Sequence, residues 1–383
     1  MAFKVIVTDE ATLQAALNSA VTSPITCISL EPLVGDTISV ANAIFLPRTL
    51  ANASNKLIIE GNGITLRPTS PLGLPGNSIL YRKNPAQDNT SSSFIIRDIK
   101  FDGRNRTTSG LELCNATDSI IENCTFSDVV NGLVLRNDYN TTVNNCSVLN
   151  HSGYAYAVDF GDWQIFPNVT TYSRKVTFNE CRQFGFDAGT SYGWYFNGVA
   201  GAAMYECTSE GKNYMPIFFD SLGLASVLSA FTNTPAVSNF NVTNFTIAGS
   251  IGSTGAGIRL KLIDGYAKIT GLHTTTGGTL IYASAYSDSS AGASPNPHLY
   301  VENIPYLNGT ALFQTDGGIT IGCPIPEPSN VVVWEFKEVY DGNIIFSATR
   351  WVNSLIPYHR YAEYFQESKK ITTNSITVNG NPI

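Results

Sequence analysis

Apolar residues along this chain fall into short alternating runs separated by Asn, Gly and Asp, and the runs repeat. Ser119-Ile120-Ile121-Glu122-Asn123-Cys124-Thr125-Phe126 lies over Thr141-Thr142-Val143-Asn144-Asn145-Cys146-Ser147-Val148 at an offset of 22 residues. The same offset lays Gly110-Leu111-Glu112-Leu113 over Gly132-Leu133-Val134-Leu135. Weaker copies stand at Leu57–Gly61, Phe94–Ile99, Phe178–Cys181 and Met204–Cys207. Period-2 alternation predicts strands, and strands this short cannot bury an apolar face alone. Stacking at a period in the low twenties lets each coil cover its neighbour, with strands about 4.8 Å apart. The fold class expected is therefore all-β, a single-stranded right-handed parallel β-helix. Aligned cysteines Cys124, Cys146, Cys181 and Cys207 become a buried stack of unreactive thiols, and aligned asparagines become amide ladders.

The ends depart from this pattern. Phe3–Val7 predicts a strand. Thr8 or Asp9 can N-cap a helix to about Ala20 with Leu13, Ala16, Leu17 and Ala20 on one face, and Ile25–Leu30 predicts the next strand. An open solenoid end exposes strand edges and core, so the helix is expected to cover it. The organisation expected is an N-terminal strand, capping helix and first coil over 1–56, the β-helix over 57–350, and a C-terminal cap or interchain segment over 351–383. Within the last, Trp351–Gln366 is aromatic and suits a short helix. Trp351, Leu355, Ile356, Tyr358, Tyr361, Tyr364 and Phe365 crowd into it.

The opening strand, the Thr/Asp-x-x-x-Leu-x-x-Ala-Leu helix, Gly35-Asp36-Thr37-Ile38 and Ile58-Ile59-Glu60-Gly61-Asn62-Gly63 resemble the start of pectin-lyase-like β-helix proteins. That superfamily includes pectate lyases, polygalacturonases and phage tailspikes. The resemblance covers roughly residues 3 to 220 and implies a fold rather than a reaction. Of the polygalacturonase motifs only an Arg-x-Lys, Arg259-Leu260-Lys261, has a match. No Asp cluster with a partner arginine resembles the calcium site of pectate lyases. No catalytic role is carried over, and no metal and no cofactor is expected.

Composition narrows the partners. Hydrophobic residues make up 43% of the 383, and charged residues only 14%, against about 25% in an average protein. The net charge is −7, and no basic stripe suggests nucleic acid. The seven cysteines are an odd number without CxxC spacing, which fits neither a disulfide framework nor a zinc site. No run is long and apolar enough for a cleavable signal peptide or a membrane span. A surface built from Asn, Thr, Ser, Gly and Tyr suits carbohydrate contact.

Two sets of candidate residues follow. If Leu111, Leu113, Leu133 and Leu135 point inward, their alternates point outward. The outward column then continues as Arg136, Asp159, Asn197 and Asp220, with Tyr195 and Phe218 beside it. Alternation leaves Asp159 free to fall on either face. Asp159 and Asp220, two coils apart at roughly 9.6 Å, sit at the upper edge of the carboxylate gap of inverting glycosidases. They are candidate catalytic residues, with Asp162 and Asp187 as alternatives. The plain structural alternative is that these aspartates solvate strands or cap turns. The second set is aromatic. Cys146 and Cys181 lie 35 residues apart, about 13 more than one repeat, and insertions in a solenoid emerge as loops. Trp163 and Phe166 in that insertion, with Tyr192, Trp194 and Tyr195 beyond it, are candidate carbohydrate- or partner-binding residues; the alternative is that their rings close a local core.

The function expected is that of a non-enzymatic structural or receptor-binding protein of a virus particle, located in the virion. It would be a homo-oligomer, most plainly a homotrimer, meeting other virion proteins and the surface polysaccharide of a host. A polysaccharide-degrading enzyme using the aspartate column is the alternative. A bacterial cell-surface adhesin is the third reading.

Overall fold

The computed structural model of the chain describes residues 3–51, 56–72, 77–82, 92–136, 138–159, 175–187, 189–197, 199, 201–220, 238–252, 256–262, 265–274, 281–285, 298–302, 313–316, 331–340, 343–353, 377–378 and 381–382. Phe3–Val7 is a strand, and Asp9 N-caps the helix Glu10–Ser19. The Asp9 carboxylate accepts from the Thr12 amide at 2.8 Å, and the Thr12 hydroxyl accepts from the Asp9 amide at 3.1 Å. This reciprocal pair satisfies two amides that the first helical turn leaves open. Leu13, Ala16 and Leu17 are buried against the end of the solenoid. Glu10 ties the helix down from outside, its carboxylate accepting from the amides of Ala41 and Asn42 at 2.7 and 3.0 Å.

Beyond the helix each coil contributes up to three strands, and each strand pairs in parallel with its counterpart one coil away. The first ladder runs through Ile25–Leu30, Leu57–Glu60, Phe94–Arg97, Ile120–Glu122, Thr141–Asn144, Val176–Asn179 and Gly201–Tyr205. The second runs through Thr37–Val40, Thr65–Pro68, Lys100–Asp102, Thr125–Ser127, Ser147–His151, Arg182–Gly185 and Thr208–Asn213. The third, a separate sheet, runs through Ile44–Phe45, Ser78–Tyr81, Ser109–Cys114, Leu133–Arg136, Tyr154–Asp159, Tyr192–Asn197, Met215–Asp220, Ile258–Leu262, Ile281–Ala285 and Phe313–Asp316. At Ser238–Ile251 the first two ladders fuse into one strand.

The repeat follows from one turn. Between the first and second ladders the chain passes through a residue of positive φ in every coil from Asn62 to Asn244: Asn62, Asp98, Asn123, Asn145, Glu180, Glu206 and Asn244. Asn and Asp tolerate this conformation because their short side chains bond locally. Here the Asn145 amide also donates to Asn123 Oδ1 at 2.9 Å, so neighbouring turns are laddered. From Asp98 onward the residue after each such turn points inward. Cys124, Cys146, Cys181 and Cys207 occupy that place on four successive coils, at most 1% exposed, and Phe245 takes it on the next. Each thiol donates to a carbonyl of the coil before it, as Cys181 does to Val143 O at 3.5 Å. Burial pushes the Cys146 and Cys181 thiols up, which leaves them protonated and inert.

The interior is continuous. Ile121, Val143, Phe178 and Met204 stand in register, and Phe101 stacks on Phe126 with centroids 4.8 Å apart. Gly110 and Gly132 repeat because the wall is thin there. A Cβ on Gly110 would stand 2.3 Å from the Phe126 ring and 2.7 Å from the Gly132 carbonyl oxygen. Parallel pairing persists to Val301↔Phe336 and then stops. Val331–Tyr340 and Asn343–Asn353 form an antiparallel hairpin. Trp351, from which the sequence suited a short helix, is in that strand. Residues 354–376 lie outside the described residues.

Candidate functional site

The outer face of the third ladder brings polar and aromatic side chains together. Register sets Arg136, Asp159, Asn197, Asp220 and Lys261 side by side on successive strands. Asp159 is thereby settled as outward, with Val158 fully buried beside it. The next outward column is Glu112, Val134, Ala157, Tyr195, Phe218 and Arg259. Arg136 bridges both columns: its Nε donates to Glu112 Oε1 at 2.7 Å, and its Nη1 lies 3.1 Å from Asp159 Oδ2. The two carboxylates are mostly buried, at 17% and 18% exposed. Their charges hold the Arg136 guanidinium above its usual range although burial opposes it.

Beside this charged end lies a ring cluster. Tyr154 sits 4.6 Å from Tyr195 and 5.3 Å from Tyr192, centroid to centroid. Phe218 sits 5.5 Å from Tyr195, and Tyr214 5.3 Å from Tyr192. All five rings are partly exposed. The Arg259 guanidinium stands over Phe218 at 5.7 Å. Burial raises the Tyr195 phenol, and Tyr154, Asp220 and Asp159 raise it further, so the hydroxyl stays protonated and able to donate. Rings that offer a face to solvent and a hydroxyl at the edge are the usual means of gripping a sugar.

The candidates from sequence separate into three groups. Asp159, Asp220, Tyr192 and Tyr195 come together on this face. Trp194 does not: it points inward, is fully buried, and stacks on Tyr156 at 5.0 Å, so it cannot meet a ligand. Asp187 lies off the face on an exposed corner. Its carboxylate accepts from the Gly189 amide at 2.8 Å and its carbonyl from the Ser191 amide at 2.9 Å, which is turn capping. Asp162, Trp163 and Phe166 lie outside the described residues. Sequence reasoning missed Tyr154 and Glu112 as members of the face. Glu112 was legible as the alternate of Leu111 and Leu113; Tyr154 lay where the repeat slips.

Among the described residues no three His, Cys, Asp or Glu side chains come close enough to hold a metal. No helix among them is long and apolar enough to cross a membrane.

The family profile described as "Right handed beta helix region" matches residues 49–166. The solved structure of an alginate lyase from Paenibacillus sp. str. FPU-7 superposes with a TM-score of 0.52 at 14% identity, over 81% of this chain and 97% of that one. The chain is a right-handed parallel β-helix. The adhesin PfbA of Streptococcus pneumoniae has a TM-score of 0.46 at 11% identity, over 92% of this chain and 100% of that one. ORF18 of Geobacillus virus E2 also has 0.46, at 12% identity, over 91% of this chain and 63% of that one. The first likeness is one of fold, and the other two add nothing to it. No curated protein matches the sequence.

Proposed function

We propose that this β-helix is a non-catalytic binding and structural protein of a virus particle that holds a glycan chain along the outer face of its third ladder. The observation that carries the binding reading is the partly exposed cluster of Tyr154, Tyr192, Tyr195 and Phe218, lying across three successive coils. A polymer running along the solenoid axis meets a ring at every strand spacing. The charges beside the rings are tied to one another, Glu112 and Asp159 both held by Arg136, which favours recognition over proton transfer. A chain with only 14% charged residues suits a role outside the cell, with a host polysaccharide as ligand and other particle proteins as neighbours. The homotrimer belongs to this reading. The aromatic stretch from Trp351 to Phe365 carries more apolar area than one coil end needs, and threefold assembly would bury it.

A second reading, a polysaccharide-degrading enzyme, has one observation in its favour: Asp159 and Asp220 flank Asn197 in a single column, two strand spacings or roughly 9.6 Å apart. Screening a panel of polysaccharides, alginate among them, for both retention and new reducing ends separates the two. Retention without cleavage, weakened roughly 2- to 10-fold by Tyr195→Ala or Phe218→Ala and unchanged in cleavage by Asp159→Asn or Asp220→Asn, is expected. Chain cleavage abolished by either aspartate substitution would replace the binding reading with the enzymatic one.

A further inference from the structure

The outer face of the second ladder carries a different chemistry. Lys100, Thr125, Ser147, Arg182 and Thr208 form one outward column on five successive strands. Two cations three strand spacings apart, roughly 14 Å, enclose two hydroxyl side chains. The adjacent column reads Asp102, Ser127, Leu149, Phe184 and Glu210. In it Leu149 is 40% and Phe184 42% exposed, so an apolar step lies beside the cations.

At the end of this face the backbone does something costly. Arg104, Asn105 and Arg106 follow one another with φ of 53°, 60° and 63°. L-residues visit that region singly, and Arg has no local bond to offset the clash of its Cβ. Glycine would fit without cost, so the side chains are what the position retains. Arg106 has a visible use: its guanidinium lies 3.8 Å over the Phe186 ring and 3.7 Å from Asp128. Arg104 has less. Its side chain donates to Pro68 O at 3.3 Å and makes no ion pair among the described residues.

Three acids of this face are paired: Asp102 with Arg67 at 2.6 Å, Asp128 with Arg106, and Glu210 loosely with Arg182 at 3.7 Å. Arg182 keeps 67% of its side chain exposed. Lys100, Arg104 and Lys212 are exposed and make no ion pair among the described residues, so they stand open to an anionic partner, with Asp98, Glu180 and Glu206 at the turns along one edge of the strip.

We infer that the second ladder is a separate binding strip for an acidic glycan, with carboxylates or sulfates meeting Lys100, Arg104 and Arg182. The hydroxyls of Thr125 and Ser147 meet its sugar hydroxyls, and Phe184 stacks on a ring. The strip lies on a different ladder from the tyrosine cluster and does not depend on that reading. A single-stranded nucleic acid shares the anionic backbone but would exploit a row of stacking rings, whereas this strip offers Phe184, with Phe186 already covered by Arg106, beside the neighbouring hydroxyls of Thr125 and Ser147.

The test is equilibrium binding of carboxymethyl dextran to the full chain in 50 mM salt, against unmodified dextran of the same length. The wild-type protein should bind the carboxylated polymer at least tenfold more tightly than the uncharged one. Lys100→Ala, Arg104→Gly and Arg182→Ala combined should remove that preference without lowering the unfolding midpoint, since Gly relieves the backbone at 104. Tyr195→Ala should leave the preference intact. Equal binding of the two dextrans by the wild type would overturn the inference. So would an undiminished preference in the triple variant, or equally tight binding of an oligothymidylate of matching length.

Discussion

Arg136 is the keystone of the third-ladder face, and replacing it with Met separates its charge from its packing. The stem of Met fills much of the same space, so the loss falls on Glu112 and Asp159. Removing one partner from a buried ion pair costs about 3–5 kcal/mol, chiefly through the charge left unpaired. Arg136 keeps 38% of its side chain exposed, so water recovers part of this, and we take about 2 kcal/mol. The two carboxylates then face each other's field at 17% and 18% exposure with no cation between them. Without the cation, burial and mutual repulsion make the ionised carboxylates costly, and protonation relieves that cost. The cost is therefore absent where both carboxyls carry protons and appears as pH climbs. The deficit of Arg136→Met should therefore be small near pH 4 and full by pH 7. Urea unfolding followed by circular dichroism at both pH values measures it, with an unchanged slope as the check that the same surface is exposed. Adding Asp159→Asn to the variant should return part of the loss at pH 7. A variant as stable as the parent at pH 7, or a deficit equal at both pH values, would refute the electrostatic account.

His151 is buried in a polar relay, its Nε2 2.9 Å from Gln183 Oε1 and its Nδ1 3.1 Å from Gly153 O, and Gln183 in turn bonds Ser209. Burial lowers its pKa, so the parent should lose stability as pH falls below about 6.5, by at most about 1.4 kcal/mol per pH unit. His151→Gln should flatten that part of the profile; identical profiles for parent and variant in urea titrations from pH 7 to 4.5 would be the contrary result. For the trimer, light scattering on the full chain should give three times the chain mass, and deletion of 354–383, which spares the hairpin ending at Asn353, should give one. A full chain that is already monomeric at micromolar concentration would end that proposal.

Much of the coil geometry was legible because each coil carries its own punctuation. Asn123 and Asn145 mark the turn, Cys124 and Cys146 the inward position after it, and Gly110 and Gly132 the thin wall. Any one of them alone is weak, but the offset of 22 joins them. The cap helix was legible from Asp9 and the Leu13/Leu17 spacing. Trp194 was misread for a definable reason. In Tyr192-Gly193-Trp194-Tyr195-Phe196-Asn197 both faces are aromatic, so alternation carries no phase. Phase comes instead from pairing, with Tyr156 before it and Ile217 after it. The fused strand Ser238–Ile251 and the antiparallel hairpin were hidden too, since periodicity records which face a residue takes and not the direction of the neighbouring strand.

The turn of positive φ also decides where this protein can change. From Lys100 to Thr208 the first and second ladders are joined only by the turn residue and the inward residue after it. Lengthening it would break the stack of coils above and below. The passage from the third ladder to the next coil obeys no such limit. It takes residues 137–140 after Arg136 and 198–200 after Asn197, yet 160–175 after Asp159 and 221–237 after Asp220. The passage from the second ladder to the third varies less, from residue 214 alone to 69–77, so variation in length is widest at one rim, and that rim is where the ladder of Arg136, Asp159, Asn197 and Asp220 ends. Insertions selected there would alter what the rim meets while leaving the register of every strand untouched, so descendants of this chain can diverge in ligand without relearning how to fold.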